Sequence, residues 1–542
     1  MKISKIGVAA GGLTLASALV LTGCGSPSED SGSSDAIITV HSNEPENPLI
    51  PGNTNEVGGG LALQSMFAGL VYYAADGASG NDVAESIETE NSQDYTIKIR
   101  SGLTFTDGTD VTAESFAKSW DWTANADNAA LNQYFFDDIE GFVYDDGETE
   151  EIESSSLIEE GGIEVVDDTT FEVHLASPEA DWPLRLGYTA FFPLPEAFFE
   201  DSEAFGEEPI GNGPYKLDEW VHDDRISLVA NEDYDGPRTP KNGGVDLVVY
   251  GSLDAAYADL LADNLDVLDA IPATSLTSFE DDLGDRAVNQ PAAIFQSFTI
   301  PGRLPHFSGE EGELRRAAIS HAINREEITD VIFDGTRAPA HDFTSPVIDG
   351  YSEEVEGAEV LEYDEAEAKK LWAEADAIDP WTGTFEIAYN ADGGHEPWVT
   401  AVSNGLKNVL GIDAAGAPYP DLASLRTEVN NDTITKAFRT GWQADYPSLY
   451  NFLAPLYATD AGANDGDYSN PEVDDLLSKG AGASSVEEAN QYFQQAQEIL
   501  FTDLPAIPLW YASVQGGTST LVENVEFGWD SWPIIYDITK AE

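Results

Sequence analysis

Cysteine and positive charge are both scarce in this sequence. One Cys occurs in 542 residues, which excludes an intrachain disulfide framework and a cysteine-rich metal site. Lys and Arg number 24 against 100 Asp and Glu, so the formal net charge is −76. A chain of this charge repels phosphate backbones and anionic lipid headgroups. We therefore expect no nucleic-acid partner and no direct electrostatic attachment to a membrane surface.

Long apolar runs are missing from the body of the chain. After residue 24, no stretch approaches the roughly 18 uninterrupted apolar residues that a membrane-spanning helix needs. Aromatic residues are plentiful, with 11 Trp, 21 Tyr and 24 Phe, whereas a disordered acidic chain is poor in them. At about 150 residues per domain, the length predicts roughly three or four domain-sized units. The dispersed acids indicate either a surface suited to solubility or high salt, or a field that steers cationic ligands.

The motifs of common enzymes are absent from the sequence. It contains no G-x-x-x-x-G-K-[ST] phosphate loop, no G-x-S-x-G nucleophile elbow and no H-E-x-x-H zinc pair. The seven His residues are dispersed, and their spacing is not typical of a metal site. We therefore expect no catalytic residue, no cofactor and no metal, and we do not predict an enzyme.

The N-terminal segment has the pattern of a secretory signal. Lys2 and Lys5 precede an uncharged apolar run that ends in Leu21-Thr22-Gly23-Cys24, so residues 1–23 are predicted to be a signal peptide. Leu-Thr-Gly-Cys resembles the bacterial lipobox, which implies that Cys24 is lipidated and anchors the protein to a membrane. The alternative is an ordinary signal peptide with an incidental Cys. Residues 24–35, rich in Gly, Ser and Asp, predict a flexible tether.

Hydrophobic periodicity predicts strands and helices interleaved along the chain. Strands are predicted at 95–100, 163–166, 170–175, 215–221, 226–230 and 246–250. Helix starts are predicted at Thr112, Asn324, Asp364 and Ser485, the last three with a Glu three residues later. The class is therefore α/β or α+β, rather than an all-β sandwich or a helical bundle.

The stretch from Phe438 to Pro447 combines a lone cation, a Gly beside a Trp, and an acid before Tyr-Pro. Pro447 biases the residue before it toward extended geometry, so a strand followed by a turn is predicted. One hypothesis is that Asp445 holds a ligand cation, Trp442 stacks on it, and the strand backbone pairs with an extended guest. The alternative is a buried strand end in which Asp445 closes a turn.

Five motifs in the mature chain resemble those of one family. They are Phe105-Thr106-Asp107-Gly108 with Val111-Thr112-Ala113, Gly211 to Leu217 with Trp220, Arg316-Ala317-Ala318 with Ala322 to Arg325, Tyr468 to Asp474, and Leu504 to Leu509. Their order behind a lipobox resembles the bacterial extracellular solute-binding proteins of the peptide/nickel type, family 5, which serve ABC importers.

The resemblance implies an α/β fold, a two-lobed periplasmic-binding-protein-like clamp (type II) with an extra subdomain in the first lobe. The core of lobe I would comprise residues 36–56, 184–290 and 505–542. The inserted subdomain would comprise residues 57–183, and lobe II residues 291–504. A hinge between the lobes would close around a ligand bound in the cleft.

The resemblance also implies how one end of a guest would be held. Asp445 would pair with the α-ammonium of a peptide, as in the oligopeptide-binding type, because a buried carboxylate needs a cation partner. Gly441, Trp442 and Gln443 would offer backbone groups that bind the peptide without reading its side chains.

Four further residues complete the implied site. Arg439 would meet the carboxyl end of the peptide. Asn43 and Glu44, at the first strand, would be the other main-chain partner of the guest. His395 follows Tyr389-Asn390, which resembles a cleft-lining segment, and the alternative is a histidine in a surface loop.

The implied function is that of a monomeric, lipid-anchored receptor at the extracellular face of the bacterial cell membrane, on the periplasmic side if there is an outer membrane. It would deliver short peptides to an ABC permease driven by ATPase subunits. Alternatives are the same fold binding a nickel chelate, an oligosaccharide or another cationic solute, and a lipid-anchored secreted hydrolase. A sensor or adhesin without a transporter is also compatible with the sequence.

Overall fold

The computed structural model describes residues 36–143, 156–431 and 433–541. The predicted signal peptide, the lipidation site Cys24 and the tether therefore lie outside the described residues. Within these ranges, no helix combines the length and the apolar character that crossing a membrane requires.

Strands and helices alternate through the described chain. The strands are β1 (Ile37–Ser42), β2 (Val71–Tyr73), β3 (Ser79–Asn81), β4 (Ala84–Thr89), β5 (Asp94–Ile99), β6 (Ile163–Asp167), β7 (Thr170–His174), β8 (Tyr215–Val221), β9 (Arg225–Ala230), β10 (Gly244–Val249), β11 (Val267–Leu268), β12 (Ala287–Thr299), β13 (Arg337–Pro339), β14 (Thr384–Asn390), β15 (Asp413–Tyr419), β16 (Ala437–Gln443), β17 (Ala506–Thr518), β18 (Val522–Glu523) and β19 (Thr539–Lys540). The helices are α1 (Val57–Met66), α2 (Ala113–Ala124), α3 (Glu196–Glu200), α4 (Ser202–Glu207), α5 (Leu253–Leu261), α6 (Phe279–Leu283), α7 (Gly309–His321), α8 (Arg325–Phe333), α9 (Glu365–Ile378), α10 (Glu396–Leu410), α11 (Leu422–Asn430), α12 (Leu449–Tyr457), α13 (Pro471–Ala481) and α14 (Val486–Asp503).

Local sequence signals account for many of these boundaries. The predicted strand pairs are confirmed as the antiparallel hairpins β6-β7 and β8-β9. The predicted helix starts are confirmed as the N-cap residues of α2, α8, α9 and α14. In the last three, the capping side chain accepts the backbone N–H of the Glu three residues later, which satisfies a donor that the helix itself leaves unpaired.

One mixed sheet runs through the whole molecule. Its strand order is β15-β14-β16-β12-β17-β11-β1-β10-β9-β8, and β13 pairs with β17 beside this path. The antiparallel strands β12 and β17, each of 13 residues, lie in the middle. Every strand from β8 to β11 therefore lies on one side of this pair, together with β1, and β14 to β16 lie on the other.

The pairing of β12 with β17 is interrupted at its centre. Pro291 lies opposite Ser513, whereas Phe295 lies opposite Tyr511, so three residues of β12 face a single residue of β17. Extra residues in one strand of an antiparallel pair leave backbone groups unpaired and bend the strand. Ala293, inside this bulge, donates its N–H to the Trp529 carbonyl at 2.8 Å and accepts the Ala444 N–H at 3.0 Å.

The central strand pair enters two hydrophobic cores. On one side of the bulge, Val514 packs with Val40 and Leu247 in the first lobe. On the other side, Phe298 and Ile507 pack with helices of the second lobe. Because burying these side chains is worth about 1.5–3 kcal/mol each, the two cores hold the two halves of the strand pair in place separately. The molecule thus has two lobes joined by a pair of long strands.

The first lobe carries an additional subdomain. Its sheet, in the order β4-β5-β7-β6, is antiparallel, and α2 packs on it. The core between them is aromatic and contains Trp120, Phe116, Phe171 and Trp182, all fully buried. Trp120 makes edge-to-face contacts with Phe171 and Trp182, at ring-centroid distances of 5.6 and 6.2 Å, an arrangement that aromatic pairs prefer.

Candidate functional site

A cavity of about 250 Å³ lies between the two lobes. Residues from 54–64, Tyr73, 188–189 and 529–532 form one part of its wall, and Gln443, Ala444 and Asp445 at the end of β16 form the other. Ala293 in the bulge of β12 is hydrogen-bonded to both Ala444 and Trp529, so the backbone itself connects the two walls.

Asp445 lies in this cavity, in the turn between β16 and α12. The buried Asn451 of α12 fixes it, because Asn451 Nδ2 donates to Asp445 Oδ2 at 3.1 Å. The Asp445 N–H in turn donates to Asn451 Oδ1 at 2.9 Å. The structure therefore has a strand followed by a turn at the position predicted from the sequence, and the acid in this turn, Asp445, lines a cavity.

The environment of Asp445 disfavours its own negative charge. Burial raises the pKa of Asp445 to about 6, although the hydrogen bond from Asn451 and the charge of Arg185 lower it. The cavity is lined by two more carboxylates, Glu56 and Asp530, and by no Lys or Arg among its described residues. A desolvated carboxylate in such surroundings gains free energy from a cationic partner. The cavity is therefore suited to a ligand that carries an ammonium or guanidinium group.

Four aromatic side chains complete the walls of the cavity, namely Tyr73, Tyr188, Trp529 and Trp532. Tyr73 and Trp529 contact each other edge to face, with ring centroids 5.5 Å apart. Aromatic faces attract cations by about 0.5–2 kcal/mol, depending on how far the cation is desolvated. The apolar walls and the carboxylates thus favour the same kind of ligand.

One edge of β16 is open beside Asp445. The Ala444 N–H donates to the Ala293 carbonyl of β12 at 3.0 Å. In an antiparallel pair, every second residue of a strand bonds to the neighbouring strand. The N–H and C=O groups of Gly441 and Gln443 therefore point away from β12. On that opposite edge, β14 pairs only with Ala437 and Phe438. Within the described residues, no strand covers the edge beyond Phe438. An extended peptide can add to such an edge as a further strand.

A second cavity, of about 260 Å³, lies along β16 within the second lobe. Arg439, Gly441 and Trp442 line it, and α11 forms another wall. Trp442 Nε1 donates to Asn451 Oδ1 at 3.1 Å, so one amide orients both Trp442 and the Asp445 turn. Arg439 Nε donates to Asn390 Oδ1 at 2.8 Å. The predicted residues of β16 therefore line two adjacent cavities, with Arg439 at one end and Asp445 at the other.

A buried ionic cluster lies behind Asp445, where the inserted subdomain meets the second lobe. Arg185 bonds to Glu179 and Asp138, and its guanidinium lies 5.2 Å from the ring centroid of Tyr446. Asp181, also buried, accepts the hydroxyl of Ser448. Burial raises the pKa of Glu179 well above its usual value, although Arg185 opposes this. A single guanidinium thus compensates two buried carboxylates, Glu179 and Asp181, together with the partly exposed Asp138.

The remaining predicted residues lie outside both cavities. Glu44 accepts from the Asp223 N–H at 3.0 Å and contacts His222 Nδ1 at 2.8 Å, on the surface of the first lobe. Asn43 is exposed next to α1, with its carbonyl oxygen against Gly58. His395 is the N-cap residue of α10, and its Nδ1 accepts from Trp398 Nε1 at 3.1 Å.

One group of side chains has the donor atoms of a metal site. His306 Nδ1 lies 2.8 Å from Glu311 Oε1 and 3.7 Å from Asp379 Oδ2. The buried Arg315, however, donates to the same Glu311 oxygen at 2.8 Å, so a positive charge already compensates this carboxylate. The group is therefore explained as an ion-pair network of the second lobe.

Sequence reasoning missed several residues of the interlobe cavity. Asn451, which orients the Asp445 turn, lies in an apolar helix without a distinctive pattern. Asp530, Trp529 and Trp532 come from the C-terminal segment, and nothing in the sequence shows that this segment returns to the cleft. Composition was the one sequence signal that could have indicated these residues, because residues 529–532, W-D-S-W, consist largely of residue types that bind cations.

Comparison with known proteins relates most of the chain to one group. The family model for the bacterial extracellular solute-binding proteins, family 5 Middle, matches residues 80–464. The oligopeptide-binding protein OppA of Bacillus subtilis is 25% identical over 530 residues, which cover 92% of this chain and 93% of the relative. The probable deoxycholate-binding periplasmic protein YgiS of Escherichia coli is 27% identical over 479 residues, or 85% of each chain.

Solved structures of such proteins share the fold. The Escherichia coli murein tripeptide-binding protein MppA gives a TM-score of 0.72 at 21% identity, covering 94% of this chain and 100% of that one. The Helicobacter pylori binding protein DppA, in complex with the peptide STSA, gives 0.73 at 19% identity, covering 95% and 99%. The predicted fold class, a two-lobed clamp of the type II periplasmic binding proteins, is thereby confirmed.

Proposed function

Because the chain belongs to the bacterial extracellular solute-binding proteins of family 5, we propose that it captures short peptides in the interlobe cavity and delivers them to an ABC importer. The observation that carries the proposal is the juxtaposition of Asp445 with the open edge of β16. Two of the relatives, from Bacillus subtilis and Helicobacter pylori, are named or shown as binding peptides. Proteins of this family bind solutes for transport and do not transform them.

The peptide backbone would pair with the outward-facing peptide groups of Gly441 and Gln443. Main-chain hydrogen bonds give affinity without dependence on the side chains of the guest. The side chains would extend into the cavity lined by Trp442, and Arg439 would lie near the carboxyl end of the guest. In this scheme Asp445 receives the α-ammonium, since it follows the open edge directly and has no cation among the side chains lining its cavity.

Closure of the clamp would bend the molecule at β12 and β17. The core of lobe I (36–56, 184–290 and 505–542) and the inserted subdomain (57–183) would move against lobe II (291–504). The bulge in β12 is the weakest point of the strand pair, because its residues lack regular partners in β17. A bound peptide would stabilise the closed form by contacting both walls at once.

The proposal also includes a lipid anchor, whose site lies outside the described residues, and partner proteins. Lipidation of Cys24 would hold the mature protein at the extracellular face of the cell membrane, with residues 24–35 as a tether. The permease and its ATPase subunits would receive the peptide from a monomeric receptor. Multiple acyl chains anchor a protein stably, whereas one chain gives marginal binding.

Thermal shifts with free and N-acetylated peptides test the proposal. A peptide at 100 times its Kd is expected to stabilise the protein by about 2.7 kcal/mol. Its N-acetylated twin at the same concentration is expected to give a much smaller shift, because acetylation removes the charge that Asp445 would pair with. Deoxycholate, an anion, serves as a control ligand that the three carboxylates of the cavity should exclude. Equal shifts with acetylated and free peptides, or none with any peptide, would contradict the proposal.

Peptide affinity is expected to depend on pH with a maximum between about 6 and 8. Binding requires an ionised Asp445, whose pKa is about 6, and a protonated α-amine, whose pKa is about 7.7–8.0. Affinity therefore falls by up to about tenfold per pH unit below 6, and again above 8. The neighbouring hydroxyls of Tyr73, Tyr134 and Tyr188 have raised pKa values and do not titrate in this window.

Titration calorimetry with an Ala-Ala-Ala peptide at constant ionic strength measures this profile. The Asp445→Asn variant should lose both limbs, because without the carboxylate the protonation state of the α-amine no longer changes the interaction. An affinity that is constant between pH 5 and 7 in the unmodified protein would show that Asp445 does not bind the ammonium.

A further inference from the structure

A second carboxylate of the interlobe cavity has the properties of a ligand group. Asp530 lies between Trp529 and Trp532 on the wall opposite Asp445 and lines the same cavity. Its Oδ1 accepts the Trp532 N–H at 3.1 Å, which closes a tight turn. Its hydrogen bonds come from backbone N–H groups, those of Trp532 and of Asp530 itself, and no Lys or Arg is among the described residues that line the cavity. No cationic side chain of the cavity wall therefore compensates the charge of Asp530.

The bulge of β12 places Asp530 close to Asp445. Ala293 bonds to Trp529 at 2.8 Å and to Ala444 at 3.0 Å, and each carboxylate belongs to the residue that follows immediately in the chain. Both negative charges also act on the hydroxyl of Tyr73. Burial is the main reason that the pKa of Tyr73 is raised, and the charges of Asp530 and Asp445 each raise it further. The two carboxylates therefore belong to one small site.

The third carboxylate of the cavity already has a structural role. Glu56 is the N-cap of α1, and its two oxygens lie 3.1 and 3.0 Å from the Gly59 N–H. The nearby Arg185 is occupied by Glu179 and Asp138. Asp445 and Asp530 are thus the two lining carboxylates whose charge the surrounding side chains leave available for a ligand.

We propose that Asp530 binds the basic side chain of the first residue of the guest, so that the receptor prefers peptides that begin with Lys or Arg. This inference rests on the proposed function, in which Asp445 holds the α-ammonium. A peptide whose first residue is basic presents two cations close together, and the cavity offers two carboxylates. Trp529 and Trp532 line the cavity on either side of Asp530 in the sequence, and aromatic rings there would contact the long alkyl stem of the guest and attract its charged end.

The test compares tripeptides that differ only at the first residue. Lys-Ala-Ala and Arg-Ala-Ala are expected to bind about tenfold or more tightly than norleucine-Ala-Ala, which keeps the alkyl stem and lacks the charge. In the Asp530→Asn variant of the full chain, this preference should disappear, while the Kd for norleucine-Ala-Ala stays within about twofold. Asparagine retains an Oδ1 acceptor for the Trp532 N–H, so the turn is preserved.

A matched variant separates a local site from the field of a protein with net charge −76. Glu526→Gln removes one negative charge from an exposed position on the same segment, outside both cavities, and should leave the preference for Lys and Arg unchanged. Moving the Lys to the second position of the peptide should abolish the preference, since only the first side chain lies next to the α-ammonium.

The failure of this inference differs from the failure of the proposed function. Peptides that bind with no preference for a basic first residue would overturn the role of Asp530 and leave peptide capture intact. The same holds if Asp530→Asn weakens lysine and norleucine peptides equally, or if Glu526→Gln abolishes the preference. The absence of binding by any peptide would overturn both.

Discussion

The Asp445→Asn variant is expected to bind a free tripeptide about 30-fold to several thousand-fold more weakly than the unmodified protein. Removing one partner of a desolvated, hydrogen-bonded charge pair costs about 2–5 kcal/mol, and 1.4 kcal/mol corresponds to tenfold in Kd. Asn has nearly the volume of Asp and can still bond to Asn451, so the turn after β16 is kept. The change therefore removes the charge with little change of shape.

A double-mutant cycle identifies the partner of Asp445 in the guest. The four combinations of Asp or Asn at position 445 with a free or acetylated peptide are measured by titration calorimetry. If Asp445 pairs with the α-ammonium, either change removes the same interaction, and the second adds little to the first. Additive losses would mean that Asp445 and the amino terminus act independently, which contradicts the proposed function.

The second large effect concerns the folded state. Arg185→Met is expected to lower the free energy of unfolding by about 3–5 kcal/mol, because removing one partner of a buried ion pair leaves uncompensated charge. Glu179 and Asp181 are 3% and 1% exposed, so water cannot replace the guanidinium. The loss should appear in urea denaturation followed by tryptophan fluorescence, since Trp120 and Trp182 lie in the adjacent aromatic core.

The pH dependence of this loss has a definite sign. Burial raises the pKa values of Glu179 and Asp181 in the folded state, so these groups take up protons more readily when folded than when unfolded. Stability is then lost as pH rises through the folded pKa, and the loss in Arg185→Met should be larger at pH 8 than at pH 5. Removing Arg185 also removes a charge that lowers the pKa of Asp445, so peptide binding should weaken near neutral pH.

A surface ion pair in the inserted subdomain provides the control. Lys98 contacts Glu85 at 2.7 Å, with both side chains about half exposed. Exposed pairs contribute about 0–1 kcal/mol, so Lys98→Met should change stability by less than about 1 kcal/mol. Equal effects of Lys98→Met and Arg185→Met would show that the buried cluster carries no special share of the stability.

Local signals in the sequence predicted local structure well. The N-caps Asn324 and Ser485 are recognisable because a capping side chain and its donor are three residues apart. The strand before Asp445 was also predicted, because Pro447 restricts the backbone of the residue before it to extended conformations.

Features that depend on long-range contacts were not predictable. The boundary between lobes that the resemblance implies, at residues 290 and 291, lies within β12, and the sequence does not show that this strand enters both cores. The place of Asp530 in the cleft depends on a contact between Trp529 and Ala293, which are far apart in sequence. The resemblance to a family provided Asp445 and Arg439, but the second carboxylate required the coordinates.

The path of the C-terminal segment has a consequence for biosynthesis. The interlobe cavity combines residues from 54–64 with Trp529, Asp530 and Trp532, so its first wall is translated early and its last wall at the very end of the chain. A nascent chain, or one cut short by a premature stop codon before Trp529, therefore lacks part of this pocket. We expect ligand capture at this site only in chains made at least through Trp532.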